Sequence, residues 1–333
     1  MSALRLTFPG LPDCPALHLS VDGMTERGPN LSHWPGNRTP SAWKADLSTG
    51  ICLRYARASA ADQARFLAGA EAVLNDHYDT DGFGSLLAVL HPQIAFAHEE
   101  TLLMAAATGD FGTLSSPRAF AIDRIVAGLA GERSPYAGEF RGLEPGPRSL
   151  ARYRFLLEHA EAILTGRLAL EALWREEHAR IESEVAAARS GALTRTVHHE
   201  HGFSVLTMAS AFSRMTLNTL AAAFRVLQVV TQAKGNLYRY HDRTESWFEL
   251  VTIAPPPRRD MRKLAGRLSE LETRAGASSG EWCADAPNEP IPELYHGVPG
   301  QQEYGSVTRV LAPSALPASV VEREFVAFFA EGA

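Results

Sequence analysis

The sequence predicts an α/β fold: a mostly parallel sheet flanked by helices, with a helical insertion and a smaller C-terminal α+β part. Short apolar runs bounded by Gly and Pro, such as LHLSV and AVLN, alternate with stretches of helical period. The chain has 333 residues, enough for about two domains of about 150 residues each. Hydrophobic residues make up 45% and charged residues 21%, a balance that supports a water-excluding core and rules out a chain disordered throughout. The expected division is an α/β domain over 1–235, with the helical insertion at about 148–190, and a C-terminal region over 236–333.

The first 60 residues hold many Gly, Pro and turn formers around LHLSV and ICLRY, so they read as short strands and loops. Ser59 is placed to cap a helix over the following Ala-rich run, which leads into a short strand at AVLN. FGSLLAVLHPQIAFAHEETLLMAAATGDF reads as helix broken near Pro92, and AFAIDRIVAGLA as another helix. SPYAGEFRGLEPGPRS reads as a loop. Leu156, Ile163, Leu170 and Leu173 then recur at helical spacing, with a bend or break expected at Gly166. TRTVHHEHGFSVL predicts a short strand, SAFSRMTLNTLAAAFRVLQVV a helix, and YRYHDRTESWFELVTI a strand, a turn and a strand. Asp260 is the expected N-cap of the helix over RDMRKLAGRLSELETR, and VVEREFVAFFAEG closes the chain.

The net charge of −6 sets a field that repels polyanions, so long nucleic acid is not the expected partner and a small anionic substrate is. No apolar stretch reaches the roughly 18 residues of a membrane span, and no basic-then-apolar leader opens the chain, so a cytoplasmic protein is expected. The three cysteines (Cys14, Cys52 and Cys283) are too far apart to build a zinc ribbon or a disulfide framework. A homodimer is compatible with the sequence.

The most informative segment is Asn75-Asp76-His77-Tyr78-Asp79-Thr80-Asp81-Gly82-Phe83-Gly84-Ser85. In extended chain, alternate side chains point the same way, so His77, Asp79 and Asp81 can converge on one point. Carboxylates with an imidazole suit a divalent ion such as Mn²⁺ or Mg²⁺, with Fe²⁺ also accommodated. The start of the following helix, near Gly84 and Ser85, can offer N–H groups to an anion. The competing reading is a plain Asp-x-Asp-Gly turn, in which Asp bonds its own backbone.

His77-x-Asp79-x-Asp81-Gly82 resembles the first motif of the DHH-type phosphoesterases, which include nucleases, short-oligonucleotide phosphatases and inorganic pyrophosphatases. That resemblance implies manganese or magnesium on His77, Asp79 and Asp81. It implies a second motif, an aspartate following a later strand, for which Asp110 is the candidate. The third, Asp-His-His motif has its nearest match in Val197-His198-His199-Glu200-His201, which has the paired histidines without the preceding aspartate. The glycine-rich signature of that family's C-terminal domain is absent. As a whole, the chain resembles an uncharacterised bacterial family that pairs an LSHWPGN-like opening with the DHYDTDG motif.

On a strand His199 and His201 share one face, while His198 and Glu200 share the other. One face can then supply metal ligands and the other the partners that support them; His198 and His199 are the candidate ligands, and His199 or His201 the candidate general acid. A solvated histidine cluster is the plain alternative. His33, in the Pro/Gly-shaped SHWPGN loop, and Arg258, in the densest basic cluster, are candidates for contacting substrate, as is Ser85. Asp46 reads as a ligand or a helix cap. Together these predict a metal-dependent hydrolase of a small phosphoester or phosphoanhydride. The same residues also fit a metal enzyme of another type (non-haem iron or amidohydrolase-like), or a non-catalytic binding protein on a degenerate phosphoesterase fold.

Overall fold

In the computed structural model, residues 4–276, 280–299 and 309–331 are described. The chain forms two compact units: residues 1–180 with 248–254, and residues 181–247 with 255–333. The division falls at 180/181, with a short return at 248–254, and not at the expected 235/236. The helices expected as an insertion are part of the first unit's core, to which they contribute Tyr153, Leu156 and Ile163. Both units mix helix and sheet, as the α/β pattern requires.

The first unit is built on a four-stranded sheet in the order β1-β4-β2-β3: β1 Arg5–Leu6, β2 Leu19–Val21, β3 Asn30–Leu31 and β4 Ala72–Leu74. Every pairing in it is parallel. Parallel strands need both faces covered. The helices that follow are α1 Ser48–Ala56, α2 Ala60–Leu67, α3 Thr80–Leu90, α4 Pro92–Ala97, α5 Glu99–Asp110 and α6 Pro117–Gly128, then α7 Pro145–Glu158 and α8 Ala160–Thr165. Ser59 caps α2 by accepting from the Asp62 N–H, and Gly166, at φ +80°, ends α8.

Helix α3 is buried from Thr80 to Ala88 and packs against α1, α5, α6 and α7. Its small residues permit that approach. A Cβ on Gly82 would lie 2.1 Å from Asn75 Nδ2, and one on Gly84 2.2 Å from Thr49 Oγ1. The ICLRY run, expected as strand, lies inside α1, because tertiary burial of Ile51, Cys52, Leu53 and Tyr55 overrides β propensity. Asp110, expected after a strand, is instead the last residue of α5.

Helix α9 (Arg175–Ala187) runs across the division between the units. The second unit holds β5 Leu193–His198, β6 Phe203–Met208, α10 Arg214–Leu220, β7 Arg225–Gln232, β8 Gly235–Asp242, α11 Arg262–Ala275, β9 Glu281–Ala284, β10 Glu293–Val298, β11 Val310–Leu311 and α12 Ala318–Ala330. Its mixed sheet runs β11-β10-β8-β7-β6-β5, with β9 on β10. The stretch expected as one helix over 210–230 divides into α10 and β7, since RVLQVV supplies branched apolar residues that pair in parallel with β6. The expected second strand over 247–253 is not formed; β8 pairs back on β7 through a two-residue turn instead. Asp260 accepts from the Arg262 N–H at the start of α11, close to the cap expected of it. Phe203, Tyr240, Leu264, Phe325 and Phe328 form the second core. No helix among the described residues is long and apolar enough to cross a membrane.

Asp242, at the end of β8, is buried in this second core region. Its Oδ1 accepts from Tyr240 OH at 2.9 Å, while Arg225 Nε lies 3.9 Å away. Burial pushes its carboxyl up to about 6, against the hydrogen bond from Tyr240 and the charges of Arg225 and Arg258. The native protein therefore holds this proton at pH values where the unfolded chain, with a carboxyl near 3.9, has lost it. Native then binds more protons than unfolded, so this group's stability contribution falls as pH rises from about 4 to about 6, at a cost of about 3 kcal/mol above that window. Asp242→Asn keeps an acceptor for Tyr240 without the charge. Denaturant melts should find it more stable than the parent at pH 7.5, with the advantage gone at pH 4; an advantage independent of pH would contradict this.

Candidate metal centre

Because β2, β3 and β4 run parallel, their C-terminal ends open on one edge of the sheet, where ligands of such sheets usually bind. Asp22 follows β2, Ser32 and His33 follow β3, and Asn75, Asp76 and His77 follow β4. The first turns of α1 and α3 and the end of α5 add Ser48, Thr49, Asp79, Asp81 and Asp110.

Two groupings of potential ligands result: Asp22 with His77 and Asp79, and Asp22 with His33 and Asp81. Asp22 belongs to both. Its Oδ2 is 3.1 Å from His77 Nε2, which is itself 2.8 Å from Asp79 Oδ2. Its Oδ1 lies 3.8 Å from His33 Nε2, which faces Asp81 Oδ2 at 3.7 Å and Asp110 Oδ2 at 3.4 Å. Those last three distances are too long for hydrogen bonds. They lie between the separations of neighbouring and opposite ligands on one octahedral ion, about 3 Å and about 4 Å for bonds of about 2.1 Å.

Asp22, His33, His77, Asp79 and Asp81 are each held from behind. Asp79 caps α3, giving Oδ1 to the Gly82 N–H at 2.8 Å and leaving Oδ2 toward His77. Asp81 accepts from Ser48 N–H (2.8 Å) and Thr49 N–H (2.7 Å), so its charge sits at the positive end of α1. The alternation read from the sequence holds for His77 and Asp79; α3 begins at Thr80, which turns Asp81 toward His33. His77 Nδ1 meets Asp76 Oδ1 at 2.8 Å, and Asp76 Oδ2 accepts from the Met24 N–H. His33 Nδ1 is 2.8 Å from the carbonyl of Asp46, to which it donates, so the neutral ring presents its lone pair at Nε2. Asn75 Nδ2 donates to Asp22 Oδ2 at 3.3 Å and to Tyr153 OH at 3.0 Å.

Asp22 sits at φ +63°, a left-handed conformation that Asp tolerates better than most residues but that still costs stability. The next residue must be glycine: a Cβ on Gly23 would lie 1.8 Å from Asp76 Oδ1.

The charge is unbalanced. Among the described residues the ion pairs of Asp22, Asp79 and Asp81 are with histidines. Burial, then the charges of Asp79 and Asp81, push the Asp22 carboxyl well above its ordinary range. Burial and the charges of Asp81, Asp79 and Asp22 do the same to Asp110. Burial lowers His33 against the pull of Asp81, keeping it neutral, whereas the charge of Asp79 and bonds to Asp22 and Asp76 raise His77 despite its burial. Asp79 is held low by His77, although burial alone would raise it. His33 Nε2 and Asp22 Oδ1 are buried with no hydrogen-bond partner among the described residues. A lone pair and carboxylate oxygens aimed at one dry point fit a divalent cation.

The chain belongs to the DUF6687 family. That family, described as one of unknown function, matches residues 5–333, so both units fall within it. No curated protein and no solved structure matches the chain.

His77, Asp79, Asp81 and Asp110 thus lie together, and His33, expected to contact substrate, faces the same point. His198, His199 and His201 belong to the second unit, where His199–His201 form a short turn between β5 and β6. His198 Nε2 meets Glu322 at 2.8 Å, and the ring stacks on Phe203. None of the three joins a ligand grouping among the described residues. Arg258 is committed to its own unit: it donates to Ser246 Oγ and to the carbonyls of Glu289 and Pro290. Ser85 lies fully buried in the second turn of α3, away from the helix start at which it was expected. Asp46 is not among the ligands; its carboxylate accepts from Val251 N–H, Thr252 N–H and Thr252 Oγ. Sequence reasoning missed Asp22, whose signal was an apolar strand, LHLSV, ending on Asp-Gly.

Asp22→Asn removes one charge from the cluster while keeping its shape. At pH 7.5 with EDTA it should melt about 3 °C above the parent. Mn²⁺ at about 100 times its Kd should raise the parent by several degrees and leave the variant unmoved. A variant that melts lower and still gains from Mn²⁺ would contradict the site.

Proposed function

We propose that the first unit is a hydrolase of small phosphoesters or phosphoanhydrides that works with two divalent ions, manganese or magnesium. The observation that carries this is the position of Asp22, whose two oxygens face two separate ligand groupings. His77 and Asp79 with Asp22 Oδ2 would hold one ion. His33, Asp81 and Asp110 with Asp22 Oδ1 would hold the other. When bound, paired ions lower the pKa of a water and neutralise charge on a phosphoryl group.

What the chain itself supplies is position and charge. Asp76 and the Asp46 carbonyl fix the two imidazoles from their far nitrogens, so neither ring has to reorient to present Nε2. Asp22, Asp79, Asp81 and Asp110 together bring four negative charges, which two divalent ions cancel, so the loaded centre no longer repels an anion. His77 is the more accessible of the two imidazoles, with 26% of its side chain exposed, while His33 is fully buried. Substrate therefore approaches from the His77 side, beside Trp34, whose ring lies 4.9 Å from that of His77. Resemblance of the His77–Gly82 motif to the DHH-type phosphoesterases favours the same chemistry.

The test is a panel of pyrophosphate, p-nitrophenyl phosphate and bis(p-nitrophenyl) phosphate on protein stripped with EDTA and reloaded with Mn²⁺, Mg²⁺ or Fe²⁺. Hydrolysis should require added metal, and Asp79→Asn should lower kcat by about 10³ or more, the loss typical of removing a principal electrostatic contributor. Turnover that survives both EDTA and Asp79→Asn would overturn the proposal, as would no turnover of any of the three by the reloaded protein.

A further inference from the structure

The ligands of the centre are not equally well anchored by their own elements. Asp79 and Asp81 stand at the start of α3, and Asp22 and His77 follow strands inside the sheet. His33 follows β3, a two-residue edge strand, and enters the loop Trp34-Pro35-Gly36-Asn37. What fixes it is a piece of chain far away in sequence. Residues 248–254 return to the first unit between two stretches that belong to the second.

Phe248 stacks on the His33 ring, with centroids 3.9 Å apart and planes 19° from parallel. The Glu249 N–H donates to the His33 carbonyl at 2.7 Å. The Glu249 carboxylate accepts from the Gly36 N–H, Asn37 Nδ2 and Lys44 Nζ, at 2.8, 2.8 and 2.9 Å, and so closes the loop. Val251 and Thr252 then hold Asp46, the residue whose carbonyl takes the His33 Nδ1 proton. The strap touches the ring face, the backbone and the far-nitrogen partner of one imidazole.

We infer that Phe248 and Glu249 are positioning residues that aim His33 Nε2 at the second cation position, an inference that rests on the two-ion reading above. A bond at Nδ1 alone leaves the imidazole free to swing about that contact; the flat face of Phe248 removes the swing. Loss of such outer support typically weakens metal binding 10–100-fold. The loss falls on the His33 ion and spares the His77 ion.

The experiment is Mn²⁺ titration by calorimetry on the full chain, with electron paramagnetic resonance of the loaded protein. The parent should bind two ions and show an exchange-coupled pair. Phe248→Leu, which keeps apolar bulk but not the flat face, should bind one ion with parental affinity and the second 10–100-fold more weakly, with the spectrum of an isolated ion. Phe248→Tyr should restore the pair. Glu249→Gln should weaken only the second ion, which covers the case of a Phe248 variant that fails to fold. Two ions at parental affinity in both Phe248→Leu and Glu249→Gln overturn the positioning role and leave the two-ion reading standing. A parent that binds no Mn²⁺ overturns both.

Discussion

Four aspartates brought to one place, where among the described residues the charged partners of Asp22, Asp79 and Asp81 are histidines, set the terms for the rest of the first unit. Coulomb repulsion between buried carboxylates is strong, because little solvent screens it. Burial, and after it this repulsion, pushes the Asp22 and Asp110 carboxyls upward, and protons relieve the repulsion in part. A divalent ion relieves it more completely and also meets the lone pair of the neutral His33. Under the proposed function, the surrounding scaffold holds these charges together for a cation.

The scaffold does so with ordinary parts. Parallel strands end side by side, so residues distant in sequence meet without a special loop. Helix N-termini supply the N–H groups that take the unused carboxylate lone pairs of Asp79 and Asp81. Close approach is bought with small residues at Gly23 and Gly82 and with the left-handed backbone of Asp22. Such strain and uncompensated charge lower stability, and a functional site is where a protein retains them. In the second unit, by contrast, the buried carboxylate of Glu293 is met by the guanidinium groups of Arg214, Arg239 and Arg309.

Much of this was legible from the residues. The α/β class followed from alternating patterns, and His77, Asp79, Asp81 and Asp110 do meet. The division of the chain was less legible, because 248–254 crosses to the first unit through contacts of Glu249 and Phe248 that no local pattern encodes. Asp22 was hidden for a related reason. VDG looks like any strand-ending turn, and only the parallel register of β2 against β4 sets it opposite His77. The HHEHG cluster joins no ligand grouping among the described residues. Histidine density in sequence is a local property, whereas a metal site needs carboxylates from elsewhere, and the described partners of these rings are Glu322, Glu200 and aromatic residues.

The central claim is that Asp22 is a carboxylate shared by two cation positions. Anomalous diffraction from crystals grown with Mn²⁺, recorded near the manganese edge, tests it most directly. The account predicts two peaks about 3.5–4 Å apart, one on each oxygen of Asp22, with His77 at one and His33 at the other. A single peak that leaves His33 Nε2 without a metal neighbour, or no peak in the carboxylate cluster, would contradict it.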